Sequence, residues 1–357
     1  MSRTKPKVKA SAPPRAAALF AWYDEHRRIL PWRALPGSVQ DPYRVWLSEV
    51  MLQQTTVAAV APYYQKFLKR WPTIHHLAKA TNAQVMQMWA GLGYYRRAHL
   101  LHDCAKMICA DFDGQFPTTE NELLQLPGFG PYTAAAVAAI AFDQRANVVD
   151  GNVERVIARI FAIREPMPKA KAALREAAAT LLPNARHGDY AQALMDLGAT
   201  ICTPRNPKCG LCPWSRSCKA HELGIEESLP AREKVKARPV RRAIAFVLID
   251  KDNRVFLRRR PKGGLLGGMM EVPSNEWSEG KMSSLAAAQK FAPIKAKWRV
   301  LPGSVRHVFS HFELEVSVAV AAAPRKIPGT WAPLTKLKDY ALPSVMLKIV
   351  RYAANTI

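Results

Sequence analysis

The spacing of apolar residues changes once along the chain. From about Ala16 to Ala220 they recur at the three- and four-residue spacing of helices, with breaks at turns rich in proline and glycine. After a charged stretch without apolar periodicity the pattern becomes alternating or β-branched, as in RVFLRR and VRHVFSHFELEVSVAVAA. Helical spacing returns at SLAAAQKFA and near the C-terminus. We therefore predict a mainly α region followed by an α+β domain.

This change of pattern divides the chain into four predicted segments. They are a basic mobile arm at 1–15, a helical domain at 16–220, a linker at 221–238 and the α+β domain at 239–357. The linker prediction depends on its charged residues, on Pro230 and on its lack of apolar periodicity. We assign no function to the arm.

The charge of the chain indicates a polyanionic partner. Its 52 Lys and Arg residues against 28 Asp and Glu give a net charge of +24, more than solubility requires. Nucleic acid is the first candidate; an anionic membrane surface and a generally basic host proteome are the alternatives. We find no uninterrupted apolar span of about 20 residues and no apolar signal-peptide segment after Met1. We therefore expect a soluble, cytoplasmic protein without a membrane partner.

The cysteines predict a metal site. Four of the six form one group with the spacing C-x6-C-x2-C-x5-C: Cys202, Cys209, Cys212 and Cys218. Disulfides are disfavoured in a chain without a secretion signal, and two bridges within so short a segment would be strained. Four thiolates can hold either zinc or an iron–sulfur cluster, so the residues alone leave the metal open. Cys104 and Cys109 lie on a helical pattern and are expected to be buried hydrophobic residues.

A glycine-containing turn precedes a helix of small residues. In LPGFGPYT, residues 126–133, Gly128 and Gly130 permit a positive φ angle, and Pro131 suits the first position of the helix. The free backbone N–H groups at such a helix start can bind an anion, and the net charge of +24 favours a DNA phosphate. A plain helix-turn-helix corner is the alternative.

Glu49 stands in the stretch SEVMLQQT, within an otherwise apolar helical pattern. Asp41 and Pro42 predict the helix start as a capping carboxylate and a first-turn proline. One stripe then continues through Leu47, Val50, Gln54, Val57, Ala61 and Leu68, and its only polar member is Gln54. Glu49 lies at the margin of this stripe, where partial burial would raise its pKa and suit it as a general acid. A surface glutamate paired with a basic residue is the alternative.

The second candidate acid is Asp150, in VVDGNVERVIARIF, where an apolar run ends and a helix begins. Asp150 could be only the N-cap of that helix, or both a cap and a functional carboxylate that the helix dipole keeps ionised. A protonatable Glu49 and an ionised Asp150 would form the divided acid pair that cleaves glycosidic bonds through an oxocarbenium-like transition state. This function requires the two side chains to meet in the fold.

Six motifs of the helical region together resemble a known family. In chain order they are DPYRVWLSEVMLQQT, GLGYYRRA, LPGFGPYTA, VVDGNVERV, ALMDLGATIC and the cysteine group. They are similar, over about residues 20–220, to the MutY family of adenine DNA glycosylases, which belong to the helix-hairpin-helix glycosylases related to endonuclease III. The resemblance implies that fold, with one four-iron four-sulfur cluster rather than zinc. The implied cluster ligands are Cys202, Cys209, Cys212 and Cys218.

The resemblance also implies the activity: removal of adenine mispaired with 8-oxoguanine or guanine, after the nucleotide is flipped out of double-stranded DNA. Glu49 matches the acid that protonates the adenine leaving group and later helps to activate water. Asp150 matches the carboxylate that stabilises the oxocarbenium ion, through a covalent intermediate. Tyr132 matches a residue beside this intermediate, and Asn152 matches a hydrogen-bonding companion.

The same resemblance implies contacts with DNA. Gln54 matches a residue inserted at the lesion. Tyr94 matches an aromatic wedge that intercalates beside 8-oxoguanine, with Leu92 nearby; outside this family the pair would be interpreted as packing at a helix start. Gly128 and Gly130 belong to the hairpin that binds phosphate.

Tyr132 also distinguishes this family from its bifunctional relatives, which carry a lysine nucleophile at that position of the hairpin motif. Without an amine there no Schiff base can form, so we expect little or no strand cleavage. Glu154 stands where certain related enzymes have a lysine, which also argues against lyase trapping and leaves base excision untouched.

The second domain resembles the Nudix fold over RRAIAFVLIDKDNRVFLRRRPKGGLLGGMMEVPS. The segment that follows lacks the clustered carboxylates needed to bind magnesium, so we expect a recognition domain without hydrolase activity. In the family a loop matching Phe309, Ser310 and His311 recognises 8-oxoguanine. A hairpin turn with a locally hydrogen-bonded His311 is the alternative.

Two other functions remain as hypotheses. The intact pair of Glu49 and Asp150 argues against a DNA-damage-binding protein with a degenerate active site. Tyr132 and the second domain argue against a bifunctional glycosylase for oxidised pyrimidines. We therefore expect a bacterial adenine glycosylase that acts as a monomer in the cytoplasm and associates with the nucleoid when it binds DNA.

Overall fold

The computed structural model describes residues 13–35, 37–233, 237–261, 263–323 and 327–356. Most of the predicted basic arm, residues 1–12, lies outside the described residues. The chain divides into two compact units: the first comprises Met1–Ala78 and Asp103–Lys234, and the second comprises Lys79–His102 and Val235–Ile357.

The helices and strands have the following bounds. The helices are α1 (Ala16–His26), α2 (Pro42–Leu52), α3 (Val57–Arg70), α4 (Ile74–Ala78), α5 (Asn82–Trp89), α6 (Arg96–Asp111), α7 (Glu120–Leu123), α8 (Pro131–Phe142), α9 (Gly151–Ile160), α10 (Lys171–Ala179), α11 (His187–Thr200), α12 (Lys219–Glu222), α13 (Leu285–Ala288) and α14 (Ser344–Thr356). The strands are β1 (Val240–Ile249), β2 (Arg254–Arg259), β3 (Met270–Glu271), β4 (Ser278–Glu279), β5 (Arg299–Val300), β6 (Val305–Val308), β7 (Glu313–Ala322) and β8 (Thr330–Pro333).

The first unit is helical and has α8 near its centre. Every residue of α8 from Thr133 to Ile140 is buried, and most are alanines. Small side chains let α2 and α11 pack closely against α8. One close approach is at Gly188 on α11, where a Cβ would stand 2.7 Å from the carbonyl oxygen of Ala139. The small residues of α8 thus permit the close packing of α2, which carries Glu49, and of α11.

The start of α9 is fixed in the same way. A Cβ at Gly198 on α11 would stand 2.6 Å from the Cβ of Asn152, so only glycine permits this approach. The apolar side of α9 is buried, and its residues Val153, Val156 and Ile157 lie in the interior. This contact fixes Asn152, whose backbone and side-chain N–H groups both donate to Asp150.

The second unit contains an eight-stranded mixed sheet with the central order β3-β2-β1-β7-β5. The long strands β1 and β7 pair in parallel from Val240 opposite Glu313 to Ile249 opposite Ala322. β4 pairs with β1, β6 with β7, and β8 with β2. The pairing of β6 with β7 is antiparallel and leaves a short turn between Val308 and Glu313.

Both faces of this sheet are covered, because alternate residues of β1 enter two different cores. Ala245 and Val247 belong to a core that includes Val345 and Ile349 of α14. Ile244, Phe246 and Leu248 belong to a second core with Trp298 and Ala288. The nearly continuous apolar sequence of β1 follows from burial on both faces.

The segment 79–102 groups with this sheet rather than with the other helices. His99 on α6 lies 3.1 Å from Asn82 Nδ2 through its Nδ1, and 3.3 Å from the carbonyl oxygen of Gly267 through its Nε2. A Cβ at Gly268 would stand 3.1 Å from the same Nε2 atom. These contacts hold the loop between α5 and α6 to the sheet domain.

The predicted fold class is confirmed: a helical region is followed by an α+β domain. The predicted burial is confirmed for Cys104, whereas Cys109 is only partly buried. The prediction of one helix through residues 42–68 is wrong, because α2 ends at Leu52 and α3 begins at Val57. The first unit extends to Lys234, which lies inside the segment predicted as a linker. Residues 79–102 belong to the second unit, and this was not predicted.

Within the described part of the chain, no helix combines the length and apolar character needed to cross a membrane.

Candidate active site

Glu49 reaches the interior because α2 is buried along most of its length. The Asp41 carboxylate caps α2 by accepting hydrogen bonds from the backbone N–H groups of Tyr43, at 2.9 Å, and Arg44, at 3.4 Å. Every residue from Val45 to Met51 is buried, and Glu49 itself is only 6% exposed. The burial expected at the margin of the stripe is therefore nearly complete.

Tyr132, on the first turn of α8, contacts this carboxylate. Its hydroxyl donates to Oε2 of Glu49 at 2.7 Å. Burial raises the pKa of Glu49 to about 7, and the negative charge of Asp150 acts in the same direction, whereas the Tyr132 hydrogen bond and the positive charge of Arg33 oppose the rise. Such a carboxyl group can hold a proton near neutral pH and can also release it, as general acid catalysis requires.

Asp150 sits at the N-terminus of α9 with its carboxylate fully engaged. Its Oδ1 accepts from the backbone N–H groups of Asn152, at 2.9 Å, and Val153, at 2.7 Å. Its Oδ2 accepts from Nδ2 of Asn152 at 2.9 Å. Three N–H donors thus converge on this carboxylate at the N-terminus of α9. Asp150 is thus a helix cap, and its charge also acts on Glu49 and on Tyr132.

The structure therefore brings four of the predicted residues into one site: Glu49, Tyr132, Asp150 and Asn152. The two acids lie in contrasting surroundings, one buried against a phenol and one surrounded by N–H groups. Two carboxyl groups in such different environments can act as a proton donor and as a stabiliser of positive charge.

Arg33 is a neighbour of this site that was not among the predicted residues. Its guanidinium donates to both oxygens of Asp196, at 2.6 and 2.7 Å, and Arg28 donates to Oδ1 of Asp196 at 2.6 Å. Asp196 is fully buried on α11. The charge of Arg33 therefore reaches Glu49 from a fixed position. The one signal in the sequence was an aspartate inside the motif ALMDLGATIC.

Arg155 connects the start of α9 with the cysteine segment and was also missed. Its guanidinium donates to Oδ1 of Asn152 at 2.9 Å, to the carbonyl oxygen of Gly198 at 2.7 Å and to that of Cys202 at 2.7 Å. Asn152 is therefore held from both sides, by Asp150 and by Arg155. An arginine one turn after a helix N-cap has no sequence signal of its own.

The hairpin before α8 has one glycine in the left-handed region. Gly128 has a φ of +81°, whereas Gly130 is the N-cap of α8 and has an extended φ of −104°. Positive φ is thus required at the first glycine only. Gly130 supplies no side-chain cap for α8, and a Cβ built on it would meet nothing within 4 Å. The space beside Gly130 at this helix start is therefore open, which is compatible with the predicted phosphate contact.

Gln54 lies between α2 and α3, in the left-handed conformation with a φ of +57°, and its side chain is exposed. Its polar character reflects the break between two helices, not an interruption of one stripe. The neighbouring Gln53 is partly buried and donates to Oγ1 of Thr133 at 3.1 Å. The two glutamines therefore face different surroundings.

In the second unit, Tyr94 and Ser310 are brought together although 216 positions separate them. Their hydroxyl oxygens are 2.7 Å apart, and the Tyr94 side chain is 46% exposed. Leu92 is buried, at 6% exposure, as a packing residue would be.

The turn that carries Ser310 joins β6 to β7. The Phe309 N–H donates to the carbonyl oxygen of Phe312 at 2.9 Å, and the two rings stack with centroids 4.7 Å apart. Ser310 and His311 are exposed at the tip. The turn is therefore fixed from below by aromatic packing and presents polar groups outward.

Four cysteines line one pocket: Cys202, Cys209, Cys212 and Cys218. None of them forms a disulfide. Four partly buried thiols around one space are a donor set that suits an iron–sulfur cluster. The guanidinium of Arg159, which is 1% exposed, lies against the pocket, and its Nη1 is 3.2 Å from Sγ of Cys202. The positive charge would balance part of the negative charge of a thiolate-bound cluster.

Two further pocket residues carry groups that can bind metals. The ligand atoms of Cys209, His221 and Glu226 all lie within 4.8 Å of one another. Nδ1 of His221 is 3.0 Å from Oε1 of Glu226. We interpret this pair as neighbours of the cysteine site, since the four sulfur atoms already supply a complete ligand set.

Comparison with known families matches three parts of the chain. Residues 47–183 match the HhH-GPD superfamily of base excision DNA repair proteins. Residues 202–218 match the iron–sulfur binding domain of endonuclease III. Residues 244–352 match the NUDIX domain. The chain therefore carries an iron–sulfur cluster on its cysteine segment.

Curated relatives match most of the chain. The adenine DNA glycosylase of Rattus norvegicus is 35% identical, over 93% of this chain and 76% of the relative. The one from Schizosaccharomyces pombe is 34% identical, over 94% of this chain and 88% of the relative. Among solved structures, a thermostable thymine-DNA glycosylase matches with a TM-score of 0.52 and 32% identity, over 58% of this chain and 94% of that one.

Proposed function

Because this chain belongs to the family of adenine DNA glycosylases, we propose that it removes adenine mispaired with 8-oxoguanine or guanine from double-stranded DNA. That it is a DNA glycosylase acting on N-glycosidic bonds, with DNA as its partner, follows from the family. We further propose that adenine is the excised base, that 8-oxoguanine or guanine lies opposite it, and that the residues described above act on them.

The observation that carries the proposal is the environment of Glu49. A carboxyl group buried against Tyr132, with a pKa raised to about 7, lies near the fully hydrogen-bonded carboxylate of Asp150. Hydrolysis of an N-glycosidic bond needs a proton for the leaving base and a negative charge beside the developing oxocarbenium ion. Glu49 and Asp150 supply these two elements.

The reaction is then balanced by these two acids and one water. Glu49 gives its proton to the flipped adenine as the bond to C1′ breaks, and Asp150 stabilises the positive charge that develops on the sugar. The ionised Glu49 takes a proton from the water that adds to C1′, so its own proton is restored. Tyr132 and Asn152 hold the two carboxyl groups in place.

Strand cleavage is not part of the proposed reaction. The hydroxyl of Tyr132 is engaged with Glu49, and a phenol cannot form a Schiff base with the abasic sugar. The product would therefore be an intact abasic strand.

Recognition of the partner base is proposed to lie in the second unit. Tyr94 would insert its ring into the duplex as a wedge, and the exposed tip formed by Ser310 and His311 above Phe309 would contact the edge of 8-oxoguanine. The hydrogen bond between Tyr94 and Ser310 supports this assignment, because it joins the two elements at one place.

The remaining contacts belong to the first unit. Gln54 would enter the duplex at the lesion from the exposed break between α2 and α3, and the hairpin of Gly128 and Gly130 would bind a phosphate. Leu92 would support the wedge from its buried position. Acting as a monomer on chromosomal DNA in the cytoplasm, one chain would bind one lesion.

The iron–sulfur cluster would be held by Cys202, Cys209, Cys212 and Cys218. Bound there as four irons and four sulfides, it would crosslink the segment that follows α11. Arg155 and Arg159 join this segment to α9, whose first turn holds Asp150. Arg155 and Arg159 thus connect the cluster-binding segment to the helix that positions the Asp150 carboxylate.

The test is single-turnover release of adenine from duplexes with adenine opposite 8-oxoguanine, guanine or thymine, with strand breaks scored before and after alkali. We expect release with the first two partners and breaks chiefly after alkali. Tight lesion binding without adenine release would overturn the proposal in favour of a damage-binding protein. Direct breaks in an additional duplex that contains an oxidised pyrimidine would overturn it in favour of a bifunctional glycosylase.

A further inference from the structure

The loop that carries Tyr94 has an unusual backbone. Gly91 and Gly93 have φ angles of +106° and +74°, and Tyr94 itself has a φ of +47°. Tyrosine rarely adopts this left-handed conformation, so the surrounding groups must hold it there. The position of the exposed ring therefore depends on contacts that other side chains make to this loop and to the ring.

Two side chains converge on the centre of the loop. The indole N–H of Trp89 donates to the carbonyl oxygen of Gly93 at 3.0 Å. Nη2 of Arg97 donates to the same oxygen at 3.4 Å. One end of the loop is fixed as well, since the Gly91 N–H donates to the Tyr95 hydroxyl at 3.3 Å. The backbone before Tyr94 is thus fixed from the protein interior.

The guanidinium of Arg97 also contacts two aromatic rings. Its carbon lies 5.3 Å from the centroid of Trp89 and 5.5 Å from the centroid of Tyr94, within the range of cation–π attraction. Arg97 is 9% exposed, whereas Tyr94 is 46% exposed. Burial lowers the pKa of Arg97 to about 10, which leaves the side chain charged at neutral pH. A desolvated cation attracts a ring more strongly than an exposed one does.

The opposite end of the Tyr94 ring is held differently. Its hydroxyl meets the exposed Ser310 hydroxyl at 2.7 Å, a contact that water or DNA can replace. The contact with Arg97 is made by a buried guanidinium to the ring itself and does not involve the hydroxyl. We propose that Arg97 is a positioning residue that sets the orientation of the Tyr94 ring and thereby contributes to discrimination between 8-oxoguanine and guanine.

This inference rests on the proposed function, because discrimination matters only if the chain acts on mismatched adenine. Arg97 itself is buried and acts through Tyr94. The role depends on its positive charge, so lysine should replace arginine in part, while neutral side chains of similar length should not.

The experiment compares Arg97→Lys, Arg97→Gln and Arg97→Met, each with native Tyr94 and with Tyr94→Ala. The readout is the ratio of single-turnover adenine excision opposite 8-oxoguanine to that opposite guanine. We expect Gln and Met to lower the ratio about fivefold and Lys to lower it by less than about twofold, from the usual strength of a buried cation–π contact. With Tyr94→Ala, none of the three should change the ratio further. Arg96→Gln, a change at an exposed neighbour, is the matched control and should leave the ratio unchanged.

A packing role makes a different prediction. Met retains the aliphatic stem of Arg97, so an unchanged ratio in Arg97→Met would overturn the proposed role of the charge. An equal loss in the Tyr94→Ala background would show that Arg97 does not act through Tyr94. If Arg97→Gln does not fold, the comparison of Arg97→Met with Arg97→Lys still tests the role of the charge.

A second measurement needs no DNA. Protein labelled with 3-fluorotyrosine gives a ¹⁹F signal for Tyr94, assigned by its loss in Tyr94→Phe. We expect this signal to shift in Arg97→Met and to stay near its native position in Arg97→Lys. An unshifted ¹⁹F signal in Arg97→Met would overturn the positioning role. Absence of adenine release by the native protein would instead overturn the proposed function and leave this result intact.

Discussion

The acid site of the first unit and the lesion-facing turn of the second unit use opposite physical means. Glu49 is 6% exposed, and its chemistry comes from the loss of water around a carboxyl group. Tyr94 is 46% exposed, and its position comes from a left-handed backbone and a buried cation. Bond cleavage needs shifted proton affinities, which burial supplies, whereas reading a DNA base needs accessible groups that are held still.

The contrast is tested most strongly by Glu49→Gln. We expect the single-turnover rate of adenine release to fall by about a thousandfold, because the general acid is lost while the size of the side chain is kept. Binding to the mismatch should remain, since Tyr94 and Ser310 are unchanged. Rates and binding curves for Glu176→Gln, an exposed change on α10, provide the control. Retained turnover in Glu49→Gln would remove Glu49 from the reaction.

The same substitution should change stability with a definite sign. The pKa of Glu49 is raised in the folded protein from 4.5 to about 7, so its contribution to stability is present below about pH 4.5 and lost as pH rises through 7. The free energy of unfolding of Glu49→Gln, relative to that of the native protein, should therefore be about 2 kcal/mol higher at pH 8 than at pH 5. Thermal unfolding at the two pH values measures this gain. Equal differences at both pH values would contradict the burial argument.

A change at the turn should leave the chemistry almost intact. With both Ser310→Ala and His311→Ala, we expect the preference for 8-oxoguanine over guanine to fall about tenfold, the size of a lost pair of polar contacts to a base. The maximal rate on the guanine substrate should stay within about twofold, because the acid site is in the other unit. An unchanged preference for 8-oxoguanine over guanine would indicate that the turn is a simple hairpin without a role in recognition.

The smallest expected effect concerns the hydroxyl of Tyr132. Its hydrogen bond lowers the pKa of Glu49, so Tyr132→Phe should raise this pKa and move the alkaline limb of the rate profile to higher pH. The maximal rate should fall only about threefold, because the acid is protonated and uncharged there and one neutral hydrogen bond contributes about 0.5–1.5 kcal/mol. A pH series of single-turnover rates measures both quantities. A limb that moves to lower pH would contradict the assigned direction.

Much of this site could be predicted from the sequence. The two acids, the glycine hairpin and the cysteine group each have a local signal, and the resemblance to the family is confirmed over most of the chain. Asp150 was predicted as a helix cap from its neighbours alone, and the structure places it there.

The rest depended on contacts that no local pattern contains. Arg33 and Arg155 acquire their importance from partners far away in the chain, Asp196 and Cys202. The break at Gln54 was missed because apolar residues on both sides continue the helical spacing across it. The membership of residues 79–102 in the second unit depends on contacts such as that of Tyr94 with Ser310, which periodicity cannot reveal.

That membership limits how this protein can be recombined. His99 lies 3.1 Å from the position that a Cβ at Gly268 would occupy, so the two sites constrain each other across the sequence. A chimera that exchanged only residues 235–357 with a relative would separate His99 and Tyr94 from the residues they adapted to. Successful domain shuffling would have to transfer 79–102 together with the sheet, and lineages should show correlated changes between these distant segments.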